Sequence, residues 1–342
     1  MKTLIFRIVC IACAALMATG SLSAPAPAQN EERLVWPYGP ANPRIEFVKA
    51  FSRAEDLGIS KGFFARIKDF LFGEAESRIV RPMAVTTVGK VIYVADPGVK
   101  GVHRFDMAGG EYALINAGDD APLPSPVGLA RGDKGEVYVT DSRLAQVFVI
   151  RHGAKVAEPL RLQAKLVQPT GIAFDAARGR LYVVDTAQHR ILVFARDGAL
   201  VASIGQRGSG DGEFNFPTYL WHTPQGNLYV TDSLNFRIQI FDSQGQFVDK
   251  FGQQGEGTGE AARPKGVALD SYGHIYVVDA LFHALQIFDD SGRLLLPIGE
   301  RGQERGEFWL PTGLFIDDDD SIYVADSYNR RVQVLRYIGG SD

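Results

Sequence analysis

The sequence predicts an all-β fold, a six-bladed β-propeller, and three observations carry that expectation. Six copies of Tyr-Val-x-Asp end at Asp96, Asp141, Asp185, Asp232, Asp279 and Asp326, at spacings of 45, 44, 47, 47 and 47 residues. A period of this length marks a stacked or radial repeat rather than a single sheet. A proline precedes each copy (Pro82, Pro126, Pro169, Pro217, Pro264 and Pro311), which is tolerated at the first residue of a strand because no ladder hydrogen bond is lost there. Between these marks, short runs alternate in hydrophobicity with period two and are broken by Gly, Asn, Asp and Pro, as antiparallel strands are. One four-stranded sheet per repeat, six times over, gives the propeller.

In chain order, residues 1–28 read as a secretory signal. Lys2 and Arg7 precede an apolar run from Ile8 to Met17, and small residues offer cleavage between 20 and 28. The run is shorter than the roughly 20 residues a spanning helix needs, so an exported protein, periplasmic or secreted, is expected. Cys10 and Cys13 both lie in this segment. The processed chain is therefore expected to have no disulfide, thiolate nucleophile or cysteine metal site. A net charge of −4 with 22% charged residues weighs against sequence-independent nucleic-acid binding, which needs a basic footprint.

Residues 29–43 are expected to be extended, and 44–58 to hold a strand that closes the ring. After Arg331-Val332-Gln333-Val334-Leu335 the chain stops within a few residues, so the sixth repeat lacks its fourth strand. Ile45–Phe51 matches the fourth strand of the fourth repeat, with Phe47 over Phe247 and Phe51 over Phe251. Supplying that strand from the N-terminus removes unpaired sheet edges. Residues 59–80 carry Phe63, Phe64, Ile67 and Phe70 at spacings of three and four, with Lys61, Arg66 and Lys68 elsewhere. That pattern predicts an amphipathic helix, either packed on the propeller or docked on a partner or membrane surface. Residues 81–342 make the six repeats.

The Pro-x-Gly starts (Pro169-Thr170-Gly171, Pro311-Thr312-Gly313), the Tyr-Val-x-Asp strands and the runs Asn235-Phe236-Arg237-Ile238 and Asn329-Arg330-Arg331-Val332 resemble NHL-repeat propellers. The connectors Arg207-Gly208 to Gly212-Glu213-Phe214 and Arg301-Gly302 to Gly306-Glu307-Phe308 fit as well. The resemblance covers roughly residues 80–342 with the closing strand. It implies the architecture and leaves the activity open, because one fold hosts many functions.

The six strand-end aspartates are expected to be structural, accepting N–H bonds in the following turn. Arg190, Arg237 and Arg331 are expected to tie turns or blades together. His189 and His283 share one offset, four residues after Asp185 and Asp279, and NHL-type peptide-amidating lyases use a histidine-rich zinc centre on that kind of face. Catalytic zinc takes three protein ligands, however, and the equivalent positions here are Lys100, Ala145, Phe236 and Arg330. The metal cage of gluconolactonase-like propellers has no counterpart either, since the inner strands start with Met83, Val127, Thr170, Thr218, Lys265 and Thr312. His222 is expected to be packed or pore-lining, and Asp317-Asp318-Asp319-Asp320 to be a solvated hairpin turn. No phosphate loop, nucleophile elbow or His-Glu-x-x-His helix is present.

These readings point to a non-catalytic binding or scaffolding module with no metal or cofactor. Its partner is a protein, peptide or glycan held on the face of the inter-blade connectors and the turns after each Asp, at Lys100, Arg143, His189, Phe236, His283, Tyr328 and Arg330, because loops on a rigid scaffold carry recognition. A metal-dependent lyase or lactonase is the competing class.

Overall fold

A computed structural model describes residues 33–39, 42, 44–59, 77–118 and 121–339. They form six blades around a central channel. In blade 1 the strands run, from the channel outward, Ala84–Val88, Val91–Asp96, Gly101–Asp106 and Glu111–Ala117. Blades 2 to 5 repeat this meander from inner strands at Pro126–Arg131, Pro169–Asp175, Pro217–His222 and Pro264–Leu269. Blade 6 begins with a three-residue inner strand, Leu314–Ile316, followed by Ser321–Asp326 and Arg331–Tyr337.

The fourth strand of blade 6 is Ile45–Phe51, antiparallel to Arg331–Tyr337. It reproduces the register of blade 4. Phe47 faces Leu335 and Phe51 faces Val332, as Phe247 faces Phe241 and Phe251 faces Ile238. The one-residue irregularity between Phe47 and Lys49 also has its equivalent, between Ile240 and Phe241 of the neighbouring pair. A shift of one residue would have turned the buried Ile45 and Phe51 outward, so the pleat enforces this register.

Two features go beyond four strands per blade. Val35–Trp36, within the segment expected to be merely extended, adds a fifth strand outside Ile45–Phe51. Trp36 is buried in a cluster with Ile45, Phe308 and Leu335. Blades 1 and 2 are also joined edge to edge, because Val156–Pro159 starts parallel to Glu111–Ala117 and ends antiparallel to Gln146–Ile150. Beyond the closing strand, Ala54–Leu57 is a short 3-10 turn ended by Gly58.

The helix expected over 59–80, with Phe63, Phe64, Ile67 and Phe70, falls on residues 60–76, which lie outside the described residues. Ile59 and Ile79, at its two borders, are buried in the apolar cluster between blades 6 and 1, and the Ile79 amide donates to the Ser52 carbonyl at 2.8 Å. Among the described residues no helix is long and apolar enough to cross a membrane.

The Pro-x-Gly starts have a steric cause. A Cβ on Gly171 would lie 2.7 Å from the Thr218 carbonyl oxygen of the next blade, and Gly128, Gly266 and Gly313 are crowded in the same way by their neighbours. Side-chain hydroxyls complete the seams. Thr140 donates to the Thr170 carbonyl, Thr231 to the Lys265 carbonyl, and Thr312 to the Pro82 carbonyl between blades 6 and 1.

Because the closing strand fills an otherwise open sheet edge, deleting residues 44–52 is expected to abolish cooperative unfolding at the parent temperature. Replacing Trp36 with Ala is expected to cost about 3 kcal/mol in urea unfolding. A deletion mutant melting with the parent would show that the ring closes without this strand.

Candidate functional site

On one face of the ring, each second strand ends at its aspartate, and each turn into the third strand carries a left-handed residue four positions on. These are Lys100, Ala145, His189, Phe236, His283 and Arg330, with φ between 53° and 59°. Non-glycine residues rarely hold this conformation, so six repeats of it show how tightly the turn is determined. All six aspartates are fully buried. Asp96 accepts the amides of Val80, Arg81 and Gly98, and Asp279 those of Ala262, Arg263, Leu281 and Phe282. Each carboxylate thereby pins the chain entering its own blade.

In blades 4 and 6 the same carboxylate also takes an arginine and a glutamine. Arg237 Nε and Gln239 Nε2 donate to Asp232, and Arg331 Nε and Gln333 Nε2 to Asp326. The guanidinium groups continue to connector carbonyls, those of Gly210 and Glu213 for Arg237 and those of Gln303, Glu304 and Glu307 for Arg331. Arg190 differs, since its buried Nε makes no hydrogen bond. Blade 1 places His103 where these blades have glutamine. It is fully buried between Asp96, 3.2 Å from Nε2, and the Tyr112 hydroxyl, 3.0 Å from Nδ1. Its offset of seven from Asp96, matching Gln239, Gln286 and Gln333, was the available signal.

His189 and His283 use Nδ1 to accept backbone amides, of Phe216 at 3.1 Å and Leu310 at 3.0 Å. Phe216 and Leu310 are themselves left-handed and precede the inner strands of blades 4 and 6. Each histidine thus fastens its turn to the entry of the next blade, and His189 is nearly inaccessible, with the Phe216 ring 4.5 Å away edge-on. Phe236 and His283 are half-buried, whereas Lys100, Arg143, Tyr328 and Arg330 are exposed. Exposed apolar side chains stand beside them: Leu144, Leu234, Leu281 and Tyr328, whose ring lies tilted against Trp309 with centroids 4.7 Å apart. Among the described residues, no group of three or more His, Cys, Asp or Glu could hold a metal ion.

The channel opens on the opposite face, away from the predicted site residues. There the inner strands run into their hairpins and enclose a cavity of about 740 Å³. Tyr219 lines it and crosses from blade 4 to donate its hydroxyl to the Met83 carbonyl of blade 1 at 2.9 Å. It occupies the position that is glycine in blades 2, 3, 5 and 6. His222 lines the cavity, as expected of a pore-lining residue. The acidic hairpin is not simply solvated. Arg131 of blade 2 forks onto Asp318, and Ser271 of blade 5 gives its amide and hydroxyl to Asp320.

A family model described as 6-bladed beta-propeller matches residues 166–223, 220–281 and 267–337. The chain belongs to the six-bladed β-propeller family. No curated protein matches it in sequence. Solved structures similar to it include virginiamycin B lyase from Staphylococcus aureus, at 16% identity and a TM-score of 0.55 over 76% of this chain and 96% of that one. An auxiliary nutrient binding protein from Bacteroides thetaiotaomicron has 13% identity and a TM-score of 0.60 over 77% of this chain and 71% of its own. A chain of a nidogen/laminin complex has 20% identity and a TM-score of 0.53 over 73% and 87%. Likeness at these identities shows the fold alone.

Burial opposes ionisation of Asp96, but His103 and the amides of Val80 and Arg81 outweigh it and hold the carboxyl below its usual value. A depressed folded-state pKa stabilises fully above the unfolded value of about 3.9, and the contribution is lost as pH falls through the folded value. Asp96→Asn is therefore expected to cost about 1–3 kcal/mol at pH 7. In urea titrations the gap to the parent is expected to stay constant above about pH 5 and to narrow as the pH falls below about 4, and a gap independent of pH down to pH 2 would remove Asp96 from this role.

Proposed function

We propose that the protein is an exported, NHL-type binding propeller that docks a partner protein on the face of the connectors and second-to-third-strand turns. The observation that carries this reading is the set of exposed apolar side chains there. Leu144, Leu234, Leu281 and Tyr328 come from turns of four different blades, and Tyr328 keeps 60% of its surface in solvent. Such residues, held on rigid turns and spread over the ring, suit a broad macromolecular surface better than one small ligand. Lys100, Arg143 and Arg330 are exposed among them, which favours an acidic partner surface and electrostatic steering toward it. His189, Phe236 and His283 then act mainly by fixing the turns. A peptide or glycan could use the same face, but the apolar spread favours a folded protein. The competing metal-dependent lyase or lactonase requires converging ligands, which the pair His189 and His283 would have to supply.

The test is affinity capture from the exporting compartment, followed by titration of the purified partner. Tyr328→Ala and Arg330→Glu are each expected to weaken binding at least tenfold, while Arg131→Ala, on the other face, leaves it unchanged. Equal loss with Arg131→Ala, or no loss with either loop-face variant, would refute docking on this face. Stoichiometric zinc that disappears on replacing His189 and His283 would instead establish the metalloenzyme class.

A further inference from the structure

One seam of the connector face, where blade 5 meets blade 6, departs from the repeat in a way the fold does not require. Blade 6 and the connector before it carry Arg301, Trp309 and Tyr328. The matching residues are Arg207, Asn215 and Leu234 at blade 4, and Gln254, Ala262 and Leu281 at blade 5. The three side chains at blade 6 form one cluster. The Arg301 guanidinium lies 5.1 Å from the centre of the Trp309 ring, and the Tyr328 ring centre lies 4.7 Å from it.

The backbone beneath the cluster is fixed before any partner arrives. Trp309 gives its amide to Asp326 at 2.8 Å, and Tyr328 gives its amide to the Trp309 carbonyl at 3.1 Å. Asn329 Nδ2 donates to the carbonyl of Gly302, the residue after Arg301, at 2.8 Å. Tryptophan, tyrosine and arginine are the side chains that most often dominate binding energy at protein interfaces. Holding them in place beforehand lowers the entropy lost on contact.

His283 adds a polar group at the same place. Its Nδ1 accepts the amide of Leu310, the residue after Trp309, so the ring proton sits on Nε2. Burial and the positive charge of Arg301 hold its pKa below the usual value, against the pull of Asp279 and Asp326. The ring is therefore neutral at pH 7, and Nε2–H is a donor. Neither this N–H nor the Arg301 guanidinium has a hydrogen-bond or ion-pair partner among the described residues. The carboxylates nearby are engaged elsewhere. Asp279 accepts four amides, and Asp326 is filled by Trp309, Asn329, Arg331 and Gln333. Glu307 accepts the Glu304 amide, while Glu300 and Glu304 are exposed and form no ion pair with Arg301. The guanidinium and the ring N–H thus present donors and a positive charge that the chain itself does not answer.

We propose that this seam is the anchor of the docking face and receives an aspartate or glutamate side chain of the partner protein. The carboxylate accepts from Arg301 and from His283 Nε2–H, and the apolar neighbours of that residue lie against Tyr328 and Trp309. A guanidinium fork matches the two oxygens of a carboxylate, and its place over the Trp309 ring keeps it oriented. The anchor rests on docking at the connector face and adds the chemistry of the residue received there.

Proton–nitrogen NMR of the tryptophan indoles of the full chain tests the anchor, with acetyl-Leu-Glu-Leu-amide as the probe. The Trp309 signal is assigned by its loss in Trp309→Phe. The Glu peptide is expected to shift that signal saturably at millimolar concentration, and the Gln and Lys counterparts to bind at least tenfold more weakly. Arg301→Gln, at an exposed position, is expected to weaken the Glu peptide at least tenfold. Arg207→Gln, at the matching position beside Asn215, is expected to leave it unchanged. Equal binding of the Gln peptide, an unchanged affinity in Arg301→Gln, or tighter binding of inorganic phosphate than of the Glu peptide would overturn the proposal. A peptide that fails to bind, while Tyr328→Ala still weakens a captured partner, overturns the anchor and leaves the docking face standing. A peptide that binds, while Tyr328→Ala and Arg330→Glu leave the partner unaffected, upholds the carboxylate site and refutes docking on this face.

Discussion

The structure depends on one interaction repeated six times, the acceptance of backbone N–H bonds by a fully buried aspartate at the end of each second strand. A carboxylate out of water is costly unless its lone pairs are filled, and here the chain entering the blade fills them. The arrangement fixes the inter-blade connector, and with it the angle at which one blade meets the next. The tyrosine of the same motif works at the opposite end of the strand. Tyr138, Tyr276 and Tyr323 donate their hydroxyls to Glu136, Asp270 and Asp317 at the hairpins. In these three blades a tyrosine and an aspartate thus hold the two ends of the second strand, while the valine between them is buried.

That economy explains what could be read from the sequence. The motif is periodic because every blade needs its aspartate anchor, so blade number and inner-strand starts were legible. The closing strand was legible because Phe47 and Phe51 reproduce a spacing the fourth blade also uses, down to the irregularity in its ladder. The offset shared by His189 and His283 was visible too, and its meaning was not. Only the fold brings each ring against the left-handed amide of the following blade.

The cavity was illegible for the opposite reason. Its lining comes from short stretches of the six inner strands and the hairpins that follow them, and those stretches must differ from one another to make an asymmetric pocket. Tyr219 did leave a trace, as a bulky residue at a position otherwise mostly glycine, where the neighbouring backbone comes too close for a side chain to point outward. It therefore points inward and across. Trp36 and the seam between blades 1 and 2 left none, since a two-residue strand and a local parallel pairing have no periodic signature.

The exchange of a strand between the two ends of the chain has a consequence for synthesis. Ile45–Phe51 leaves the ribosome long before Arg331–Tyr337 exists. At roughly 5–20 residues per second it waits on the order of tens of seconds for its partner. Throughout that interval an apolar strand with free edges is on offer to any neighbour, including the same strand of another nascent copy. The growing chain can stack blades in order, but a strand made before all of them waits until the sixth is complete. Errors of assembly should therefore collect at this joint, as chains that lend their opening strand to the wrong molecule.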